Sequence, residues 1–311
     1  MDAFSEAIRT VMERTAPRLV HVASVDESGE RVAFGTGFAF DERRLVCNSQ
    51  VLQQERVVVQ LADGRERHAR RIGADPLYFL GFLELEDGEA AWREAPPVEL
   101  VPADELRPGL AVVALGYPMG DQIEVTQGVI SGVDRTVYRP ERIPVDGLVV
   151  TDAAIHPGNT GGPLLLLDGR LAGINGIPWM HGLGLAVGAP AFSRVVRQIL
   201  ERGEATHPWL GFSGQREVIE PEMVSLLGLP VDRGIAVRVV TENGPGARAG
   251  VQPLDLVVRV DDVPAASLGT IRQRLSLYRP GETARLTVLR GGNLLELQFP
   301  VEQVPQLRTS Q

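Results

Sequence analysis

Residues 151–174 read TDAAIHPGNTGGPLLLLDGRLAGI, and this stretch decides the fold. A glycine-rich turn over 157–162 runs into an apolar strand, 163–167. Asp168-Gly169 is a hairpin turn, and 170–174 is the return strand. Gly158, Gly161 and Gly162 permit backbone angles and close approaches that other residues resist. Successive amides in such a turn point at one place and form an anion pocket, with the side chain of Thr160 at the tip. In an acyl-transfer enzyme that is the nucleophile's place. From spacing alone a glycine-rich hairpin without chemistry stands beside that reading.

Composition bounds the rest. A chain of 311 residues is long enough for two domains, one of them large. A formal charge of -9 argues against nucleic acid or an anionic membrane surface as partner. One cysteine, Cys47, leaves no internal disulfide framework and does not fix the redox compartment. No apolar run is long enough to span a bilayer. The start, MDAFSE, lacks a basic head and an apolar core, so no signal peptide is expected. Phe4, Ile8, Val11 and Met12 share one face at helical spacing up to Pro17.

The central stretch resembles the nucleophile loop of the HtrA/DegP family, chymotrypsin-fold serine proteases carrying PDZ domains. That family reads Thr-Asp-Ala-Ala-Ile-Asn-Pro-Gly-Asn-Ser-Gly-Gly-Pro-Leu, with the serine as nucleophile. Here His156 replaces the asparagine and Thr160 the serine. The resemblance continues through Gly35-Thr36-Gly37-Phe38 and through 45–52, LVCNSQVL, where Gln50 stands at the histidine position. In 75–85, DPLYFLGFLEL, Phe79 stands at the aspartate position, while Asp75 matches a non-catalytic aspartate. Further matches are 124–131 and the barrel strand over 182–187. The loop before that strand, 177–181, is short where relatives carry a segment that switches the site on.

Beyond a helix ending at Gly203, with Phe192, Val195, Val196, Ile199 and Leu200 on one face, residues 204–208 form a linker. Trp209-Leu210-Gly211-Phe212 then resembles the carboxylate-binding loop of a PDZ domain. In such a loop backbone amides receive a terminal carboxylate, and the following strand pairs with the incoming peptide. Ile271 and Leu275, on a helix over 268–278, are candidates to line the groove.

The expectation is a mainly β protein. A trypsin-like double six-stranded β-barrel occupies 1–205, one PDZ domain (α+β) occupies 206–305, and 306–311 is a tail. Glutamine cannot take a proton near neutrality. An internal threonine lacks the chain-terminal amine that threonine nucleophiles use as base. With Gln50, Phe79 and Thr160 at the triad positions, the site reads as abandoned, although Gly158, Asn159 and Thr160 keep the oxyanion-loop pattern. His156 is the rescue candidate for a base. The other histidines show no metal-ligand spacing, so neither metal nor cofactor is expected.

The expected function is a pseudo-protease that binds extended peptides, unfolded proteins or protein C-termini. Residual endopeptidase activity through Thr160 is one alternative. A structural or regulatory subunit of an HtrA-type oligomer, such as a homo-trimer or an assembly mixed with an active relative, is another, with Phe4 and the amphipathic start at the contact or packed on their own barrel. The chain as written implies a cytoplasmic location unless an export segment has been removed; the family is usually extracytoplasmic.

Overall fold

The computed structural model describes residues 2–117, 122–139, 143–178, 182–229 and 231–305. It divides into two compact units, Met1–Ala205 and Thr206–Gln311.

The first unit opens with α1 (Ala3–Thr15), capped by the Asp2 carboxylate accepting from the Ser5 amide at 2.9 Å. Six strands follow: β1 (Leu19–Val25), β2 (Arg31–Ala39), β3 (Arg44–Asn48), β4 (Arg56–Gln60), β5 (Glu66–Asp75) and β6 (Leu80–Leu85). They close into a barrel in the order β1-β2-β3-β6-β5-β4. A second set closes another in the order β10-β11-β12-β9-β8-β7. These are β7 (Ala111–Gly116), β8 (Glu124–Arg139), β9 (Ile143–Thr151), β10 (Pro163–Leu166), β11 (Leu171–Pro178) and β12 (Gly184–Gly188). Closure removes every free sheet edge and leaves two apolar interiors. Val20, Val22, Leu45 and Val59 fill the first, and Val112, Ile130, Leu164 and Ala186 the second. A larger cluster draws on both barrels through Phe38, Phe82, Leu115 and Ile174. Phe192 of α2 (Ala189–Arg202) joins it, stacked on Phe82 at 6.3 Å. Gly203 ends α2 in the left-handed conformation, φ 77°, its amide bonded to the Ile199 carbonyl.

The structure departs from the sequence pattern in three places. β8 runs to Arg139 and pairs along β9, a strand the sequence pattern does not separate from its surroundings. Phe4 is 46% exposed because α1 docks through its C-terminal half, where Val11 is buried. Leu200 is 44% exposed: the buried stripe of α2 runs through Phe192, Val195 and Ile199, and Leu200 is rotated a further 100° or so. In the loop read over 177–181, residues 179–181 lie outside the described residues, as does the tail 306–311.

The second unit holds β13 (Phe212–Val218), α3 (Pro221–Leu226), β14 (Arg233–Val240), α4 (Pro245–Arg248), β15 (Leu256–Val260), β16 (Val263–Pro264), α5 (Leu268–Leu275), β17 (Thr283–Arg290) and β18 (Asn293–Pro300). The sheet order is β13-β14-β15-β17-β18, with β16 on β15, so β13 is an edge strand. Its core includes Leu210, Phe212, Val237, Ile271, Leu275 and Phe299. Among the described residues no helix is long and apolar enough to cross a membrane.

Candidate functional site

The turn after β9 is tied from several directions. The Asn159 amide donates to the His156 carbonyl at 3.0 Å, and the His156 amide returns a bond to Asn159 Oδ1 at 2.9 Å. Asn159 Nδ2 reaches the Ala154 carbonyl at 3.2 Å. Gly161 sits at φ 90°. A β-carbon there would stand 2.6 Å from the Asn48 nitrogen and 2.7 Å from the Thr36 carbonyl oxygen, so glycine is required for space as well as for angle. Thr36, from the first barrel, donates its hydroxyl to the Gly158 carbonyl at 2.5 Å and accepts the Tyr117 amide at 2.7 Å. Asn175 of β11 donates its buried amide group to the Asn159 and Pro163 carbonyls at 3.3 and 3.1 Å. The glycine pattern pointed to this turn, but Thr36 and Asn175 as its clamps become visible only in three dimensions.

Thr160 is buried, and its hydroxyl donates to the His156 carbonyl at 3.2 Å. The His156 ring is exposed and makes no hydrogen bond among the described residues. The rescue candidate therefore meets Thr160 through its main chain and not through its imidazole. Among the described residues neither the Gly158 nor the Thr160 amide donates a hydrogen bond. Two such amides beside one hydroxyl are the chemical makings of a site for a carbonyl or carboxylate oxygen.

Gln50 and Phe79 come to the same end of the barrel. Gln50 lies in a 3-10 turn, Ser49–Val51, directly after β3, with its amide on Asn48 Oδ1 at 2.9 Å and its side chain exposed. The neighbouring Ser49 amide donates to the Phe79 carbonyl at 2.8 Å. Since Gly161 packs on Cys47 and Asn48, the backbone brings positions 50, 79 and 160 together.

Phe79 has a left-handed backbone, φ 57°, which costs an aromatic residue about 1–2 kcal/mol. Its ring lines an apolar cavity of about 60 Å³ with Leu77, Val145, Leu148 and Gly176. The Arg139 guanidinium covers the ring, 3.9 Å from its centroid, and donates to the Pro76 carbonyl at 3.0 Å. Burial lowers the Arg139 pKa from its ordinary value, against the opposing pull of Asp75. Asp75 is fully buried, and its carboxylate caps its own turn by accepting the Leu77 and Tyr78 amides at 3.0 and 3.2 Å. Arg139 carried no local signal; it reaches Phe79 because β8 runs on as far as Arg139.

In the second unit, the Trp209 amide donates to the Glu302 carbonyl at 2.7 Å. Leu210 is buried, and Gly211 turns at φ 65° with its carbonyl on the Thr241 amide at 2.8 Å. A β-carbon on Gly211 would meet Pro245 at 2.7 Å. Phe212 then starts the edge strand β13. Ile271 and Leu275, expected to line a groove, are fully buried in the core with Leu210 and Phe212. Their i, i+4 spacing marks the inward stripe of α5, so they support the turn from beneath.

A family model described as "Trypsin-like peptidase domain" matches residues 35–174, and one described as "PDZ domain" matches 213–301. A solved structure of a serine-to-alanine variant of the HtrA-type protease AlgW with tripeptide is 30% identical, covers 96% of this chain and 97% of that one, and superposes with a TM-score of 0.69. The chain belongs to the HtrA/DegP family. This HtrA-family chain is 28% identical over 312 residues to a "Probable periplasmic serine endoprotease DegP-like" of Pseudomonas putida (strain GB-1), covering 98% of the chain and 63% of the relative. A protein of the same description from Chlamydia muridarum is 32% identical over 278 residues, 87% of this chain and 54% of its own length. The HtrA-family chain thus spans less than two thirds of the length of these curated relatives.

Proposed function

We propose that this HtrA-family chain is a pseudo-protease that holds extended peptides or protein C-termini on its second unit. The observation that carries the reading is β13, an edge strand that begins directly after the glycine turn at Leu210, Gly211 and Phe212. An edge strand offers unpaired main-chain groups to an incoming strand, and the turn's amides suit a terminal carboxylate. The structural relative with a bound tripeptide supports the same use. For the first unit, Gln50 supplies no base, Phe79 supplies no carboxylate to orient one, and the nearby Asp75 carboxylate accepts the Leu77 and Tyr78 amides of its own turn. A site without its triad retains about 10³–10⁴ over water, far below a working protease.

Binding is tested by titrating a library of peptides with free C-termini into the full chain and into the chain lacking residues 206–311. Binding by the full chain alone is expected; equal behaviour of the two would sink the reading.

A residual endopeptidase using Thr160 is the second reading, favoured by the undonated Gly158 and Thr160 amides. Casein incubated with the parent and with Thr160→Ala separates the two. Cleavage by neither supports the pseudo-protease, and cleavage by the parent alone supports the second reading. A structural role in an HtrA-type trimer is favoured by Phe4, which stays exposed on α1. Sedimentation of the parent and Phe4→Ser would show loss of a trimer if that contact forms it.

A further inference from the structure

We infer that Arg216 makes the peptide site selective for an acidic residue four positions before the peptide's C-terminus. The inference rests on the peptide-binding reading above. Arg216 lies on β13 opposite Ile235, which is buried, so the two share the sheet face turned toward the core and α5. Its Nε donates to the Ala266 carbonyl at 2.9 Å. Ala266 directly precedes Ser267, whose hydroxyl caps α5 by accepting the Thr270 amide at 3.0 Å. The guanidinium therefore spans from the open edge strand to the start of the helix.

That bond fixes the guanidinium plane through Nε and leaves both Nη groups, the forked donors that suit a carboxylate. Among the described residues Arg216 has no acidic partner. Arg238 on the adjacent strand pairs with Glu217 at 3.0 Å, Arg274 of α5 with Asp261 at 2.8 Å, and Arg290 with Asp255 at 2.6 Å. Arg216 is thus an exposed, oriented and unneutralised cation on the groove side of the edge strand.

Strand geometry sets the register. A peptide whose carboxylate meets the Leu210–Phe212 amides and runs antiparallel to β13 places its last residue beside Phe212. Residues two and four before it then share that face. Four residues of strand span roughly 13 Å, which brings the residue four positions before the last beside Arg216. The residue three positions before the last points to the opposite face.

Full-length protein is titrated with fluorescent decapeptides bearing free C-termini and a common apolar last residue. They carry Glu or Lys at either the fourth or the third position before the end. Glu at the fourth is expected to bind about three- to fivefold more tightly than Lys there, with no such preference at the third. Arg216→Ala should erase the discrimination and Arg216→Lys retain part of it. Because Arg216 is exposed, circular dichroism of R216A should match the parent. Equal binding of the four peptides, or discrimination that survives R216A, overturns the inference while the peptide-binding reading stands. If no peptide with a free C-terminus binds, both fall.

Discussion

The guanidinium of Arg139 lies on the ring of Phe79, 3.9 Å from its centroid, at the position where the resemblance places a triad carboxylate. A charged group that would suit an aspartate is used instead to roof an aromatic ring. Desolvated cation–π pairs contribute about 0.5–2 kcal/mol.

A double-mutant cycle measures that pair. Phe79→Leu and Arg139→Met, alone and together, should give a coupling free energy of about 0.5–1 kcal/mol by urea denaturation. The cycle cancels the Arg139 bond to the Pro76 carbonyl. Additive effects would mean the ring and the cation are neighbours without interaction.

Two glycines with similar backbone angles separate strain from crowding. Gly64 at φ 85° has open space where a β-carbon would go, whereas Gly161 at φ 90° faces backbone atoms at 2.6 and 2.7 Å. Gly64→Ala should cost about 1–2 kcal/mol, the left-handed penalty alone. Gly161→Ala should cost at least twice as much, since Thr36 and Asn48 are backbone neighbours that cannot swing aside. Equal shifts in urea midpoint would show that the nucleophile-type turn relaxes freely.

His21 gives a pH signature. It is buried against Phe34 and Tyr117, and neither ring nitrogen has a hydrogen-bond partner among the described residues. Burial, with a smaller contribution from Arg31, lowers its pKa from the ordinary value. As pH falls, the unfolded chain takes up the proton first, so stability rises with pH in that window. The contribution of neutral His21 is whole above the unfolded value near pH 6.5 and drains away below it. Between about pH 7.5 and about pH 5, the melting temperature of the parent should fall further than that of His21→Phe. Parallel falls would remove His21 from the account.

Cys47 should be silent. It is fully buried in β3, and burial pushes its thiol up to about 12. At mildly alkaline pH the folded protein should show no thiol reactive toward Ellman's reagent, and one per chain in denaturant. Rapid reaction of the native protein would mean that β3 opens easily.

Local pattern carried the strands, because alternation and turn residues act over a few positions. The DG turn at Asp168-Gly169, the helix stop at Gly203 and the turn at Gly211 all formed as their residues require. Pattern failed where burial depends on what lies opposite. Phe4 and Leu200 are apolar and at helical spacing, yet exposed, while Ile271 and Leu275 are core residues. α3 and β9 carried no clear period; α3 packs with Val258, Leu289 and Leu294, far along the chain, and β9 is held by β12 as well as by the preceding β8.

By itself the sequence determined the family, the barrel and PDZ elements, and the residues at positions 50, 79 and 160, since these rest on identity and short spacing. Only the tertiary structure decided that Thr36 clamps Gly158 across 122 residues, and that Thr160 bonds the carbonyl of His156. It alone placed Arg139 over Phe79 and left Arg216 on an open edge with no acidic partner among the described residues. The physical reason is loop closure. Contacts between residues far apart in the chain form only when the barrels close and β13 takes the sheet edge, and no local preference encodes which side chains then meet.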